Sequence, residues 1–173
     1  MPLKDSFFIS AMDPGLDTGL SLLHITPDNY QVIEHHVVAY NPEAFSSPVM
    51  VLKEWRMAYS EHPHILVYEN FHVRPGKMIP DTTALKIIGA VEDWMMTNSP
   101  YREVVVREPV QGKHLITDTV LTNAGLHVNE NSDSRHVRDA HRHAAAYLTE
   151  IKHLAFCRAA WPPRSVECPH DHP

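Results

Sequence analysis

The chain predicts an α/β fold: a mixed five-stranded sheet, built from a three-strand antiparallel meander plus two further strands, with helices on both faces. Three observations carry this. Three strand-like segments follow one another near the start, with only short turns between them. Past residue 45 the apolar spacing changes from two to three and four. Two later apolar segments are set apart by helical stretches, so they join the sheet through crossovers.

FFISAMD (7–13) reads as a short buried strand, closed by Pro-Gly. LDTGLSLLHI (16–25) and YQVIEHHVVAY (30–40) complete the meander, separated by the turn TPDN. Phe45, Val49, Leu52, Trp55 and Tyr59 then recur at helical intervals, with Pro48 early in the helix. HPHILVYENF (62–71) is the fourth strand. A second helix lies within residues 80–100, with Pro80 or Asp81 near its start and Ser-Pro after its end. REVVVREP (102–109) is the fifth strand. QGKHLITDTVLTNAG (111–125) forms a short helix closed by Gly125. After the polar loop HVNENSDS, residues 134–161 read as one long helix with Ser134 as its N-cap. Residues 1–161 thus form one domain, and PPRSVECPHDHP (162–173) a Pro-rich disordered tail.

Composition fits a soluble globular domain, with 43% hydrophobic and 21% charged residues. Every apolar run is interrupted well short of a membrane span, and the start lacks the pattern of a secretory signal. Cys157 and Cys168 have no CxxC partner, which argues against a disulfide framework and makes cytoplasm the default location. The net charge of −6 by itself disfavours nucleic acid, but it is unevenly spread. Residues 1–64 hold three Lys/Arg against eight Asp/Glu, whereas residues 134–161 hold five Lys/Arg and four His against two acids. The basic run reads equally as a solvated helix face.

Three acids converge on this topology. Asp13 ends the first strand, Glu69 lies near the end of the fourth, and Asp139 falls in the first turns of the last helix. His136, Asp139 and His143 are spaced i, i+3, i+7 and share a stripe, beside an apolar one of Ala140, Ala144, Tyr147, Ile151 and Ala155. The alanines let the helix approach the sheet, and His141 is expected to face solvent. Each residue has an ordinary alternative: Asp13 as the first residue of an Asp-Pro-Gly turn, Glu69 as a partner of Arg74 or Lys77, Asp139 as a helix-start acid. Asp17 reads as turn chemistry. Taken jointly, the carboxylates suit hard divalent cations and metal-assisted phosphodiester cleavage, in which two ions lie about 3.5–4 Å apart.

ISAMDPGLDTGLSLL, LVYENF and HVRDAHRHAAAYL together resemble the RuvC-like Holliday junction resolvases of the RNase H-like superfamily, over most of residues 6–155. The resemblance implies a metal-dependent, structure-selective DNA endonuclease that resolves four-way junctions by paired hydrolysis, leaving 5′-phosphate and 3′-hydroxyl ends. It implies two Mg²⁺ ions per site, with Asp13 bridging them, Glu69 helping to hold one, and Asp139 with His136 holding the other. An imidazole at 136 would shift preference toward Mn²⁺. It also implies a homodimer acting on branched DNA. Compact relatives occur in bacteriophages, which would place the protein in the cytoplasm of a bacterial host.

Arg74, Lys77 and Lys113 are candidates for phosphate contacts, and Phe71 or His72 for stacking on an unpaired base, although an aromatic there also reads as core. The helix over 80–98, with Trp94, Met95 and Met96, is a candidate dimer surface and equally readable as core. Cys157 falls on or beside the apolar stripe, and CPHDHP is a weak candidate for a soft metal. The competing functions are a related nuclease acting on flaps, forks or RNA-containing duplexes, an inactive RNase H-like module that binds nucleic acid or protein, and a Zn²⁺ site built on the histidines.

Overall fold

The computed structural model describes residues 5–41, 43, 47–71, 82–98, 100–108, 114–128 and 134–163. Five strands form one sheet: β1 (Phe7–Asp13), β2 (Asp17–Thr26), β3 (Asn29–Ala39), β4 (His64–Glu69) and β5 (Glu103–Arg107), in the order β3-β2-β1-β4-β5. β1–β2 and β2–β3 pair antiparallel, while β1–β4 and β4–β5 pair parallel. The mixed sheet and its meander are therefore as the sequence predicts. β1 lies at the centre and is covered on both faces, so it is apolar along nearly its whole length rather than alternating.

One face carries α1 (Ser47–Ala58) and α2 (Thr83–Asn98) over a core that includes Phe8, Met12, Leu20, Leu66, Trp55 and Trp94. The other carries α3 (Asp118–Asn123), α4 (Ser134–Glu150) and α5 (Leu154–Ala160) over Ile9, Ala11, Leu23, Val67 and Phe156. Pro48 falls in the first turn of α1, where its missing N–H costs nothing. Trp94 joins the core, Met95 packs against it, and Met96 is exposed. Cys157 is half-buried against the α4 core. No helix among the described residues is long and apolar enough to cross a membrane. Phe45, Pro80, Asp81, most of HVNENSDS and the tail from residue 164 lie outside the described residues.

The last helix departs from expectation by breaking in two. α4 ends at Glu150, and Lys152 adopts a positive φ of 56°. The Lys152 N–H then donates to the Thr149 carbonyl at 3.0 Å, and the His153 N–H to the Leu148 carbonyl at 2.9 Å, closing the helix in a Schellman motif. His153 caps α5: its Nδ1 accepts from the Phe156 N–H, while Nε2 donates to the Thr26 carbonyl at 2.7 Å. His141 is the second correction. It is buried, with Nδ1 2.7 Å from the Leu126 carbonyl and its ring against His35, because the segment after α3 and the β3 edge cover that side of α4. That burial pushes its imidazole down to about 4.

α4 is fixed across the sheet at both ends. Near its C-terminus, Arg107 Nη2 meets Glu150 Oε2 at 2.6 Å, and the Tyr147 hydroxyl donates to Glu103 at 2.9 Å. Near its N-terminus the helix backbone lies directly on β2. A Cβ added to Gly19 would stand 2.0 Å from the His136 carbonyl oxygen and 2.2 Å from its carbon. Glycine is required there because no side chain fits between strand and helix.

Candidate metal centre

The stretch DPGLDTG does two things. Thr18, fully buried, donates its hydroxyl to the Gly15 carbonyl at 3.2 Å and closes the turn after β1. Gly19 pairs with Asp13 across the β1–β2 ladder and admits the start of α4 over it. The turn thus presents Asp13 at the strand end beneath the helix. Glu69 ends the neighbouring parallel strand β4, so the two carboxylates emerge side by side at one edge of the sheet.

α4 brings two imidazoles to these carboxylates. His136 Nδ1 lies 3.1 Å from Asp13 Oδ2, and His143 Nε2 lies 3.1 Å from Glu69 Oε2. Asp13, Glu69 and His143 each offer a ligand atom, and these atoms all lie within 4.8 Å of one another. His136 and Asp139 flank that group without joining it. Asp139 is mostly buried, and its Oδ1 is held by Arg142 Nη1 one turn on; Arg142 also holds Asp118 and the Ile116 carbonyl.

Burial raises the Asp13 carboxyl above the ordinary carboxylate range. The His136 hydrogen bond and the charge of His143 oppose that rise, whereas Asp139 and Glu69 add to it. His136 is raised in turn, chiefly by its hydrogen bond to Asp13, against its own burial. The exposed Asp17 contributes a small share of that rise, so its charge does reach the site. Three carboxylates crowded in a half-desolvated edge repel one another, an arrangement that a cation relieves.

The residues present fit a divalent metal. Glu69 Oε2 and both ring nitrogens of His143 are buried and make no hydrogen bond among the described residues, although the two side chains are in contact. Buried polar atoms are ordinarily satisfied. Ligand atoms of Asp13, Glu69 and His143 within 4.8 Å of one another, with those of Glu69 and His143 left without a hydrogen bond, match a metal position.

No protein-family model matches the sequence, and no curated protein does. Solved structures do match. T. thermophilus RuvC in complex with a Holliday junction substrate aligns over 86% of this chain and 98% of its own, at 16% identity and a TM-score of 0.61. A second Thermus thermophilus RuvC structure covers 84% and 97%, at 17% identity and a TM-score of 0.58. The yeast mitochondrial Holliday junction resolvase Ydc2 covers 87% and 82%, at 12% identity and a TM-score of 0.54. The chain has the RuvC RNase H-like fold.

On that fold, Asp13 and Glu69 converge and His136 and Asp139 stand beside them. His143 was not among the residues singled out as ligands, yet it makes the closest approach to Glu69. The i, i+7 spacing from His136 was the signal that could have found it. Glu69 meets His143; the sequence names Arg74 and Lys77 as its alternative partners. Those two residues, together with His72 and Lys113, lie outside the described residues. Phe71 is half-buried against the core beneath α1 and α2, which leaves only part of its ring at the surface.

Proposed function

We propose that this protein is a metal-dependent endonuclease of the resolvase kind, acting on branched DNA and on four-way junctions in particular. The observation that supports it is the convergence of Asp13, Glu69 and His143, with buried atoms left unpaired, on the strand ends of a RuvC fold. Asp13 and Glu69 would hold one divalent ion, and Asp13 with Asp139 and His136 a second, Mg²⁺ or Mn²⁺. Bound there, such ions supply Lewis-acid activation of phosphate and of an attacking water. The chain's own residues prepare that step. His136 fixes the Asp13 carboxylate by donating to Oδ2, and Arg142 fixes Asp139 by holding Oδ1. The Gly19 contact sets the helix height on which both depend. Water then adds to phosphorus as the P–O3′ bond breaks, leaving a 5′-phosphate and a 3′-hydroxyl. A homodimer, with Arg74, Lys77, Lys113 and the exposed part of Phe71 meeting DNA, would place two such sites on opposed strands.

The test offers end-labelled four-way junction, flap, fork and linear duplex, with Mg²⁺ or Mn²⁺, to the wild type and to Asp13→Asn. Paired symmetric nicks on the junction, lost in the variant, are expected. Preference for flaps or forks would move the assignment to a related nuclease. Cutting that survives Asp13→Asn would remove the metal centre from the reaction, and binding without cutting would indicate an inactive module. A solution mass near 19.7 kDa would exclude the dimer.

A further inference from the structure

We propose that His143 is itself a metal ligand, and that the Asp13–Glu69–His143 site takes Mn²⁺ in preference to Mg²⁺. This rests on reading the cluster as a metal site and goes beyond the ligand set of Asp13, Glu69, His136 and Asp139 implied by resemblance.

Burial comes first. His143 is 1% exposed, so its ring cannot turn to water. A neutral imidazole carries one donor and one acceptor, and both of its nitrogens lack a hydrogen bond among the described residues. A simple ion pair with Glu69 would align an N–H with the carboxylate. The 3.1 Å approach of Nε2 to Oε2 has no such alignment. Two ligand atoms each about 2.1 Å from one ion, at a right angle, are themselves about 3 Å apart. The observed separation therefore suits two neighbours on a shared ion.

The donor chemistry then selects the metal. Mg²⁺ demands near-octahedral oxygen ligation and dehydrates reluctantly. A buried imidazole gives up nothing to it, whereas nitrogen ligation favours first-row transition ions over Mg²⁺. The two carboxylates keep the site hard enough for Mn²⁺. His136 reaches Asp13 through Nδ1 but stands outside the Asp13–Glu69–His143 group, so His143 is the nitrogen ligand that the geometry supplies to that group.

The test loads the full chain with Mn²⁺ and reads nitrogen hyperfine coupling on the bound ion by pulsed electron paramagnetic resonance, with no cleavage assay involved. Coupling is expected in the wild type and in His136→Gln, where His143 is the remaining nitrogen ligand, and is expected to vanish when His143→Gln is added to His136→Gln. Mg²⁺ should displace Mn²⁺ only at about tenfold or greater excess from the wild type, and far more readily from His143→Gln. Should His143→Gln fail to fold, the wild type and His136→Gln still decide the matter. Bound Mn²⁺ without nitrogen coupling, or coupling lost in His136→Gln, would overturn the assignment. Failure of the wild type to bind Mn²⁺ at all would instead overturn the metal-site reading beneath it.

Discussion

β1 and β4 run side by side, and the two ends of this parallel pair carry opposite chemistry. At the N-terminal end, Phe8 stands opposite His64 in the ladder, and its ring stacks on His24, Tyr59 and His64 at 4.8, 4.5 and 5.1 Å. At the C-terminal end, Asp13 and Glu69 face His136 and His143. His64 and His143 are equally buried, at 1% exposure each. His64 is held by aromatic rings and by a hydrogen bond from Nε2 to the Tyr59 carbonyl at 3.1 Å. His143 has carboxylates before it and no hydrogen bond among the described residues. Burial of an imidazole thus says little about its role. What distinguishes a ligand from a packing residue is which atoms its nitrogens face.

Replacing Glu69 by Gln gives the largest expected difference between the two ends. Metal-dependent cutting should fall by about a thousandfold or more, a loss of about 4 kcal/mol of transition-state stabilisation. Folding stability in metal-free buffer should hold or rise, because one of three mutually repelling carboxylates is gone. Nicking assays and urea denaturation of the same preparation read both quantities. A parallel drop in stability would mean that Glu69 holds the fold rather than the ion.

Gly19 sharpens the comparison from the backbone side. Ala at this position drives a methyl into the His136 carbonyl, and main-chain atoms cannot swing aside as a flexible side chain can. The helix start must lift, at an expected cost of about 3 kcal/mol, near the top of the range for overpacking. His136 then parts from Asp13, and Mn²⁺ affinity falls with it. Gly89 in α2 supplies the control, since a Cβ there meets nothing within 4 Å. Gly89→Ala should gain up to about 1 kcal/mol of helix propensity with Mn²⁺ affinity unchanged. Urea midpoints and Mn²⁺ titrations of the two variants separate these outcomes.

The sheet was legible because its signals are local: apolar runs, period changes and turn residues fix β1 to β5 and their order. The carboxylate pair was legible because adjacent parallel strands end together. The close of α3 was legible too, since Gly125 takes a φ of 67° and glycine announces that conformation. The same motif ends α4 at Lys152, a residue with no such preference, so the break between α4 and α5 left no mark in the sequence. His141 was misjudged for a related reason. Helical spacing says which residues share a face, but not how many faces are covered, and α4 is packed by the sheet on one side and by the segment after α3 on another.

His64 tests the N-terminal end with the smallest and most specific effect. Burial lowers its imidazole to about 4, so the folded protein holds it neutral where the unfolded chain, near 6.5, takes up a proton. Between these values the unfolded state binds more protons, and folding stability therefore falls as the pH drops from about 6.5 to about 4. One such group can contribute a slope of at most about 1.4 kcal/mol per pH unit. In His64→Leu that share of the slope should disappear, while the share of His141, also lowered to about 4, persists. Urea denaturation across this window, for the wild type and the variant, measures the difference directly. Junction cutting at neutral pH should be the same for both, because His64 stands at the end of β4 away from Glu69. A variant that kept the full slope would mean that His64 is not the group that resists protonation, and one that lost cutting would mean that the two ends of the sheet are energetically coupled.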